Sequence, residues 1–428
     1  MTTTVQKAVL CAVACLLCSL HSAAQCVASF SCAPDSLMPS VSHPDSNYVE
    51  LPGGMSPELY RLVDKLDSVL IFGKGRVSIL HIGGSHVQAD MYTDVFRRNV
   101  DSLNNGLRPP RGYVFPYAVA KTNNPLNYKT TYGGHWQSAR CALRQFSPSL
   151  GVGGIAVFTQ DTAAWFHINL NRDSTFRWQT TGLKLLARST GGSFVPILTT
   201  DSTEYLPTPT DYGYYYRLPH SVTEFRISLR RDTLVSALVD TFIVTGLLPQ
   251  ADADGIVYHT IGVNGASVPS YLGCSLFEKE MKQIAPDLVI MAIGINDAND
   301  RDFDPDIFVA RYNTLIASIR RVAPECAFIF ITNNDSRRRI SRRQRVVNTN
   351  GVTARTAFFR LAEQWGGGIW DLFDIMGGLG SMSEWQKAGL ARKDCVHFTR
   401  QGYEIIGQLF YNAFLNFYME QDYAIDNN

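Results

Sequence analysis

Two hydrophobic rhythms alternate along this chain. In the first, short and mostly apolar runs, Val77 to Ile82, Ile256 to Ile261, Leu288 to Ile293 and Ala327 to Thr332, are separated by longer stretches in which apolar residues recur every third or fourth position. The runs predict strands buried on both faces, and the longer stretches predict the helices that cover them. Ser56-Pro-Glu-Leu-Tyr opens one such helix, with Leu59, Leu62, Val63, Leu66 and Leu70 on its apolar side. Tyr92, Phe96, Val100 and Leu103 mark a second, and Tyr271 to Ile284, Pro305 to Val322, Val352 to Trp365 and Gly402 to Met419 read as further helices. Trp370-Asp-Leu-Phe supplies another strand end. Strands that alternate with helices imply a parallel sheet covered on both faces, with function at the carboxyl ends of the strands.

Between residues 123 and 254 the rhythm changes to short segments of β-branched, aliphatic or aromatic residues bounded by turn residues, such as Ile155 to Phe158, Ala164 to Leu170, Val222 to Leu229 and Thr241 to Leu247. This spacing predicts an antiparallel β-sandwich inserted into the first domain. The expected organisation is a leader over 1–25, a linker over 26–55, an α/β domain in two parts (56–122 and 255–428) and the inserted domain over 123–254. Asn104 to Tyr117, with Gly106, Pro109, Pro110, Gly112 and Pro116, predicts an irregular rim loop.

Composition narrows the partners. The 428 residues are 45% hydrophobic and 11% aromatic, enough to fill real cores, and 39 basic against 38 acidic side chains leave a net charge of +1. Such a balance gives no overall pull toward nucleic acid. Lys7, the apolar run Ala8 to Leu20 and Ser22-Ala-Ala-Gln25 have the three parts of an export signal, so the mature protein is expected outside the cytoplasm, periplasmic, outer-surface or secreted. Ala-Ala-Gln is a poor lipidation signal for Cys26, and Cys26 and Cys32 are close enough to pair. No later apolar run reaches the ~18 residues that span a bilayer. Beyond the leader the chain has no CxxC, and it has no HExxH, so a zinc site of the usual spacing is not indicated.

The polar residues at the expected strand ends form a coherent set. Val77-Ser-Ile-Leu-His-Ile-Gly-Gly-Ser85 places Ser85 at a strand-to-helix elbow, where a hydroxyl is exposed beside helix N–H groups. Thr260-Ile-Gly-Val-Asn-Gly-Ala-Ser267 follows the next strand and offers the Gly265 N–H, while Ile293-Gly-Ile-Asn-Asp297 offers the Asn296 amide. In Asp394-Cys-Val-His397 the three-residue spacing lets the carboxylate hold one ring nitrogen while the other faces a serine. Singly, Ser85 reads as a helix cap, Asn296 as part of a turn and His397 as a helix-start histidine. Together, in this order, they supply a nucleophile, two oxyanion donors and an oriented base.

These blocks resemble the SGNH subgroup of the GDSL esterases over residues 77–103 and 256–418. Gly83-Gly-Ser-His-Val-Gln-Ala-Asp-Met-Tyr-Thr93, followed by a β-rich insert, is similar to the peptidoglycan O-acetylesterases that carry a carbohydrate-binding-like domain within the hydrolase. The resemblance implies a flavodoxin-like three-layer fold and an acylated Ser85. It also implies His397 as base, Asp394 as its partner, an oxyanion hole formed by Ser85, Gly265 and Asn296, and no metal or organic cofactor. The implied substrate is O-acetylated extracellular glycan, above all the 6-O-acetyl of N-acetylmuramic acid in peptidoglycan. Where the family has Gly-Asp-Ser this chain has Gly83-Gly84-Ser85, so the carboxylate beside the nucleophile is missing. Acetyl transfer between glycans, or glycan binding with weakened hydrolysis, would use the same residues.

Two further features are candidates for substrate contact. Trp136, with His135 and Tyr132, reads as a sugar-stacking surface, whereas Trp365, Trp370 and Trp385 read as packing. Arg337, Arg338, Arg339, Arg342, Arg343 and Arg345 follow a strand end, where they form either a solvated loop or a site for an anionic glycan or phosphate.

Overall fold

A computed structural model of the chain describes residues 38–425 except 105, 144–146, 172–177, 233, 236–238 and 342–343. The leader, Cys26, Cys32, Arg342 and Arg343 lie outside the described residues. The described residues from 41 onward form one compact unit.

The first rhythm folds into a six-stranded sheet. Its strands are β1 (Val49–Glu50), β2 (Arg76–Gly83), β3 (Gly255–Gly262), β4 (Leu288–Ala292), β5 (Ala327–Ile331) and β6 (Gly368–Trp370), in the spatial order β1-β6-β5-β4-β2-β3. β2 to β6 pair in parallel, and in chain order they stand 2-1-3-4-5, the flavodoxin-like doubly wound arrangement. Each of these strands is buried along nearly its whole length, as helices on both faces require.

Helix Pro57–Leu70 is capped by the Ser56 hydroxyl, which accepts the Leu59 N–H at 3.3 Å. It buries Leu59, Leu62, Val63, Leu66 and Val69; Val69 stands where Leu70 was expected. The expected helix over 271–284 is two pieces, Val268–Leu272 and Phe277–Ile284. The end of the expected linker belongs to the sheet: Val49 and Glu50 pair antiparallel with Trp370 and Ile369. Asn47 donates to the Leu409 carbonyl and accepts from the Trp370 indole at 2.9 Å. Edge pairing uses backbone groups, and these leave no mark on side-chain composition.

The second rhythm folds into two antiparallel sheets. One contains, in spatial order, residues 208–209, 214–222, 180–189, 242–250, 155–159 and 137–140, and the other 129–133, 165–169, 224–231, 194–200 and 203–205. In strand Glu224–Arg231 Phe225, Ile227 and Leu229 face inward while their neighbours face out. Strand Phe242–Gln250 is instead buried nearly throughout, because its second face lies against the α/β part.

Asn104 to Tyr117 is not an exposed rim. Pro109 to Tyr117 are buried, Val114 bridges to Leu247, and the Tyr113 N–H donates to His259 Nδ1 at 3.0 Å. The prolines and glycines exclude regular structure, as expected, but the irregular chain is the filling between the two parts.

Candidate active site

The site is built where three strands end side by side. Gly83 of β2 is the register partner of both Gly262 of β3 and Ala292 of β4, so the loops after all three strands leave from one line. Both glycines are required by close approach. A Cβ on Gly83 would collide with the Val87 side chain, and one on Gly262 with the Gln88 N–H and the Gly84 carbonyl. Tyrosine hydroxyls brace the strand ends: Tyr271 donates to the Gly83 carbonyl at 2.9 Å, Tyr117 to that of Gly262 at 3.2 Å and Tyr312 to that of Ile293.

Ser85 begins the short helix Ser85–Gln88, and a separate helix, Tyr92–Leu103, follows. Its hydroxyl lies 2.8 Å from His397 Nε2. His397 Nδ1 is 2.9 Å from Asp394 Oδ2, while Asp394 Oδ1 accepts the backbone N–H groups of Val396 and His397, both at 3.0 Å. Burial alone would raise the Asp394 carboxyl, but those N–H groups and the imidazole outweigh it and hold the carboxyl below its ordinary value. An ionised carboxylate on Nδ1 leaves Nε2 free to take the serine proton. The carboxylate and imidazole side chains are about one third exposed, 36% and 32%, so substrate can reach them.

The Asn296 amide donates to the Ala266 carbonyl at 2.8 Å, which leaves its second N–H free. A Cβ at Gly84 would stand 3.5 Å from Asn296 Nδ2, so this amide is at the serine elbow. Gly265 is exposed on the loop after β3 with φ of +81°, a backbone that favours glycine. The geometry therefore brings Ser85, His397 and Asp394 into one hydrogen-bonded chain and sets Asn296 beside it. Ser85 N–H, at the first turn of its helix, has no intrahelical acceptor.

Trp136 does not line this site. It is 8% exposed, donates to the Gly133 carbonyl and packs edge-on against Phe166, so the indole is core of the antiparallel part. Exposed neighbours such as His135 made it read as surface, but the turn before strand Gln137–Arg140 directs the ring inward. Arg337 opens a two-stranded hairpin, Arg337–Arg339 paired with Arg345–Val347, and its N–H donates to the Cys395 carbonyl at 2.9 Å, beside Asp394. Trp370 and Trp385 are fully buried, as expected for packing.

Three residues without an assigned role in the sequence reading support the geometry. Asp297 accepts the Val268 N–H at 3.1 Å, so adjacent residues 296 and 297 both clamp the loop that carries Gly265. Burial raises the Asp297 carboxyl to about 7. Gln88 accepts the Asn264 N–H at 2.7 Å and donates to Thr122 at 3.0 Å, tying the same loop to the chain entering the antiparallel part. His86 Nδ1 meets the Tyr403 hydroxyl at 2.8 Å, and its ring centre is 5.1 Å from that of His397. Burial first, and then the neighbouring His397, lower the His86 pKa to about 3, so His86 is neutral near pH 7. Among the described residues no group of three or more His, Cys, Asp or Glu is placed to hold a metal ion.

Residues 240–405 match the sequence model of the GDSL-like lipase/acylhydrolase family. That span includes Gly265, Asn296, Asp394 and His397, whereas Ser85 lies ahead of the β-rich insertion. Among solved structures, one titled as a peptidoglycan O-acetylesterase in action superposes with a TM-score of 0.69, covering 90% of this chain and 99% of that chain at 19% identity. The similarity shows a common fold that includes both parts. An acetyl xylan esterase gives a TM-score of 0.30 at 17% identity, covering 37% of this chain and 81% of its own. A family two carbohydrate esterase from Cellvibrio japonicus gives 0.29 at 9% identity, covering 68% of this chain and 98% of its own. No curated protein sequence matches the chain.

Proposed function

We propose, for a chain that carries a GDSL-like lipase/acylhydrolase domain, a serine carbohydrate esterase that removes O-acetyl groups from extracellular glycan, with peptidoglycan as the leading substrate. The observation that carries this reading is the chain Ser85 Oγ, His397 Nε2, His397 Nδ1, Asp394 Oδ2, with contacts of 2.8 and 2.9 Å. A serine hydroxyl is a weak nucleophile at neutral pH, and an adjacent oriented imidazole is what activates it.

In the proposed reaction Ser85 Oγ attacks the ester carbonyl while its proton passes to His397 Nε2. The oxyanion that forms is met by the Ser85 and Gly265 N–H groups and by the free N–H of Asn296. His397 then returns the proton to the departing sugar oxygen, which leaves an acetyl-serine and a free hydroxyl on the glycan. Water attacks the acetyl-serine with His397 again as base, and acetate departs. The Ala266 carbonyl holds the Asn296 amide in place, so this donor does not have to reorganise during the reaction.

The substrate rests on two supports: the shared fold with the peptidoglycan O-acetylesterase structure, and the export signal over residues 1–25. In this reading the antiparallel part, proposed as a domain over 123–254, holds polymer near the site. Purified protein is incubated with O-acetylated peptidoglycan, acetylated xylan and a chromogenic acetyl ester, and released acetate is measured. Acetate from peptidoglycan in excess of xylan is the expected result. Release from none of the three, or unchanged release by Ser85→Ala, refutes the esterase.

A further inference from the structure

The residues that follow Ser85 and His397 in the chain meet on one phenol. His86, next after Ser85, places Nδ1 2.8 Å from the Tyr403 hydroxyl. Phe398, next after His397, has its ring centre 5.5 Å from that of Tyr403 and 6.0 Å from that of His86. Burial raises the Tyr403 pKa, and the Phe398 backbone N–H, bonded to the phenol oxygen, opposes that rise. Tyr403 itself is buried in the first turn of the closing helix, Arg400–Ile425. One hydroxyl therefore ties the turn that carries Ser85 to the loop that carries His397.

The ring that makes this tie also lies against the base. Its centre is 5.1 Å from that of His397, with the two planes inclined at 39°. Ser85 and Asp394 hold the nitrogens of His397 at its edge, whereas His86 stands beside the ring itself.

Two features give His86 more than a packing role. Its Nε2 is buried and, among the described residues, has no hydrogen-bond partner, so the bond to Tyr403 alone orients the imidazole. A phenylalanine would fill the same space without leaving a buried nitrogen unpaired. The ring is also neutral, because burial first and then His397 outweigh the opposite pull of Asp394. A cation at this position would repel the imidazolium that forms on His397 during the reaction, whereas a neutral ring keeps its contact through the proton transfer. We propose that His86 is a positioning residue, which through Tyr403 and through its ring fixes the separation of Ser85 Oγ and His397 Nε2. The proposal rests on the esterase reading for the roles of those two atoms. A misplacement of about 1 Å between reacting groups lowers a rate by about 10²-fold, which sets the scale of the expected effect.

The test measures the reactivity of Ser85 without any glycan. When an alkyl fluorophosphonate is attacked by Ser85 Oγ, an O–P bond forms, fluoride leaves and the serine proton passes to His397, so the labelling rate reports the activated hydroxyl alone. In the full-length protein His86→Phe and Tyr403→Phe each keep an aromatic ring and lose the bond between them. Each should slow labelling by about 10- to 10²-fold, with a melting temperature close to that of the unmodified protein. The double variant should label no more slowly than the slower single one, because both changes remove the same bond. His86→Asn, which offers an amide near the position of Nδ1, should label faster than His86→Phe. On a chromogenic acetyl ester His86→Phe and Tyr403→Phe should lower kcat and leave KM nearly unchanged. Should His86→Phe fail to fold, Tyr403→Phe carries the test. Labelling by Tyr403→Phe at the unmodified rate, losses that multiply in the double variant, or no labelling of Ser85 in the unmodified protein would each overturn the proposal. The expected pattern of labelling in a protein that hydrolyses no ester would instead refute the esterase and leave the positioning role standing.

Discussion

Two polar regions of this molecule are equally well connected and differ in water access. At the strand ends, Ser85, His397 and Asp394 form a chain that ends on a partly exposed hydroxyl. Behind it, at the junction with the antiparallel sheets, Asp90 is buried among Arg97, Arg111, Thr93 and Asn127, and Arg97 reaches Thr260 at 2.8 Å. Asp90, Arg97 and Arg111 are at most 2% exposed. A second buried carboxylate at the junction, Glu280, takes the Tyr212 and Thr245 hydroxyls and the Val152 N–H. Polar groups at the strand ends are arranged to react, whereas those at the junction cannot be reached and serve to lock the two parts in register. The same residue types therefore predict opposite outcomes when removed.

Ser85→Ala is the largest expected effect. It should lower kcat/KM on a chromogenic acetyl ester by at least about 10³-fold, while the melting temperature stays at that of the unmodified protein. Arg111→Ala reverses the pattern. It leaves Asp90 short of a partner in a dry site, which costs about 3–5 kcal/mol, so the denaturation midpoint should fall sharply while the folded fraction keeps its turnover. If Arg111→Ala spared stability and abolished turnover, the division into a reactive and a locking region would fail. Asn296→Ala should cost about 10²- to 10³-fold in kcat, the usual loss for one oxyanion donor, with KM little changed.

Asp297 lies between the two classes, buried but next to the site. Its carboxyl is raised from 3.8 to about 7, so in this window the folded chain holds a proton that the unfolded chain has lost. Stability from this group is therefore greatest below about pH 3.8, falls as pH rises toward 7 and is level above that. Arg311, which lowers the value, and Asp300, which raises it, are the charged groups acting on this carboxyl. Asp297→Asn should flatten that part of the profile in thermal melts taken from pH 4 to 8. Parallel profiles for the two proteins would show that Asp297 does not titrate there.

The smallest expected effect is at Gly84, where a Cβ would stand 3.5 Å from Asn296 Nδ2, 3.6 Å from the Ala266 carbonyl and 3.9 Å from that of Val263. These are ordinary contacts, so Gly84→Asp should fold. Its carboxylate would gain a helix start, a term of about 0.3–1 kcal/mol, against repulsion from the two carbonyls. A rise in kcat of less than about fivefold on a small acetyl ester is expected, with a slightly higher melting temperature. A fall in both would show that this turn works best without a carboxylate.

Most of the α/β part was legible in the sequence because its signals are local. A strand buried on both faces must be apolar along its length, a helix on a sheet must be apolar every three or four residues, and a serine after two glycines at a strand end has few places to be. The parallel sheet, the helix capped by Ser56 and the meeting of Ser85, Asp394 and His397 follow from such patterns together with the family resemblance. Legibility failed where burial depends on a distant partner. Trp136 and the proline-rich segment 104–117 read as surface because their neighbours in sequence are polar or irregular, and what covers them comes from elsewhere in the chain.

By itself the sequence determined the order of the elements, the residue types at the strand ends and the near-neutral charge, since each is a property of adjacent residues. Only the tertiary structure decided which tyrosines brace the strand ends, that Asp90 has Arg97, Arg111 and Asn127 as partners, and that the hairpin opened by Arg337 is tied to the Cys395 carbonyl beside Asp394. Those pairings join groups up to 188 residues apart, as Tyr271 and Gly83 are. Hydrogen bonds and ion pairs act only over a few ångströms, so the fold had to bring these groups together before any of them could be seen to act.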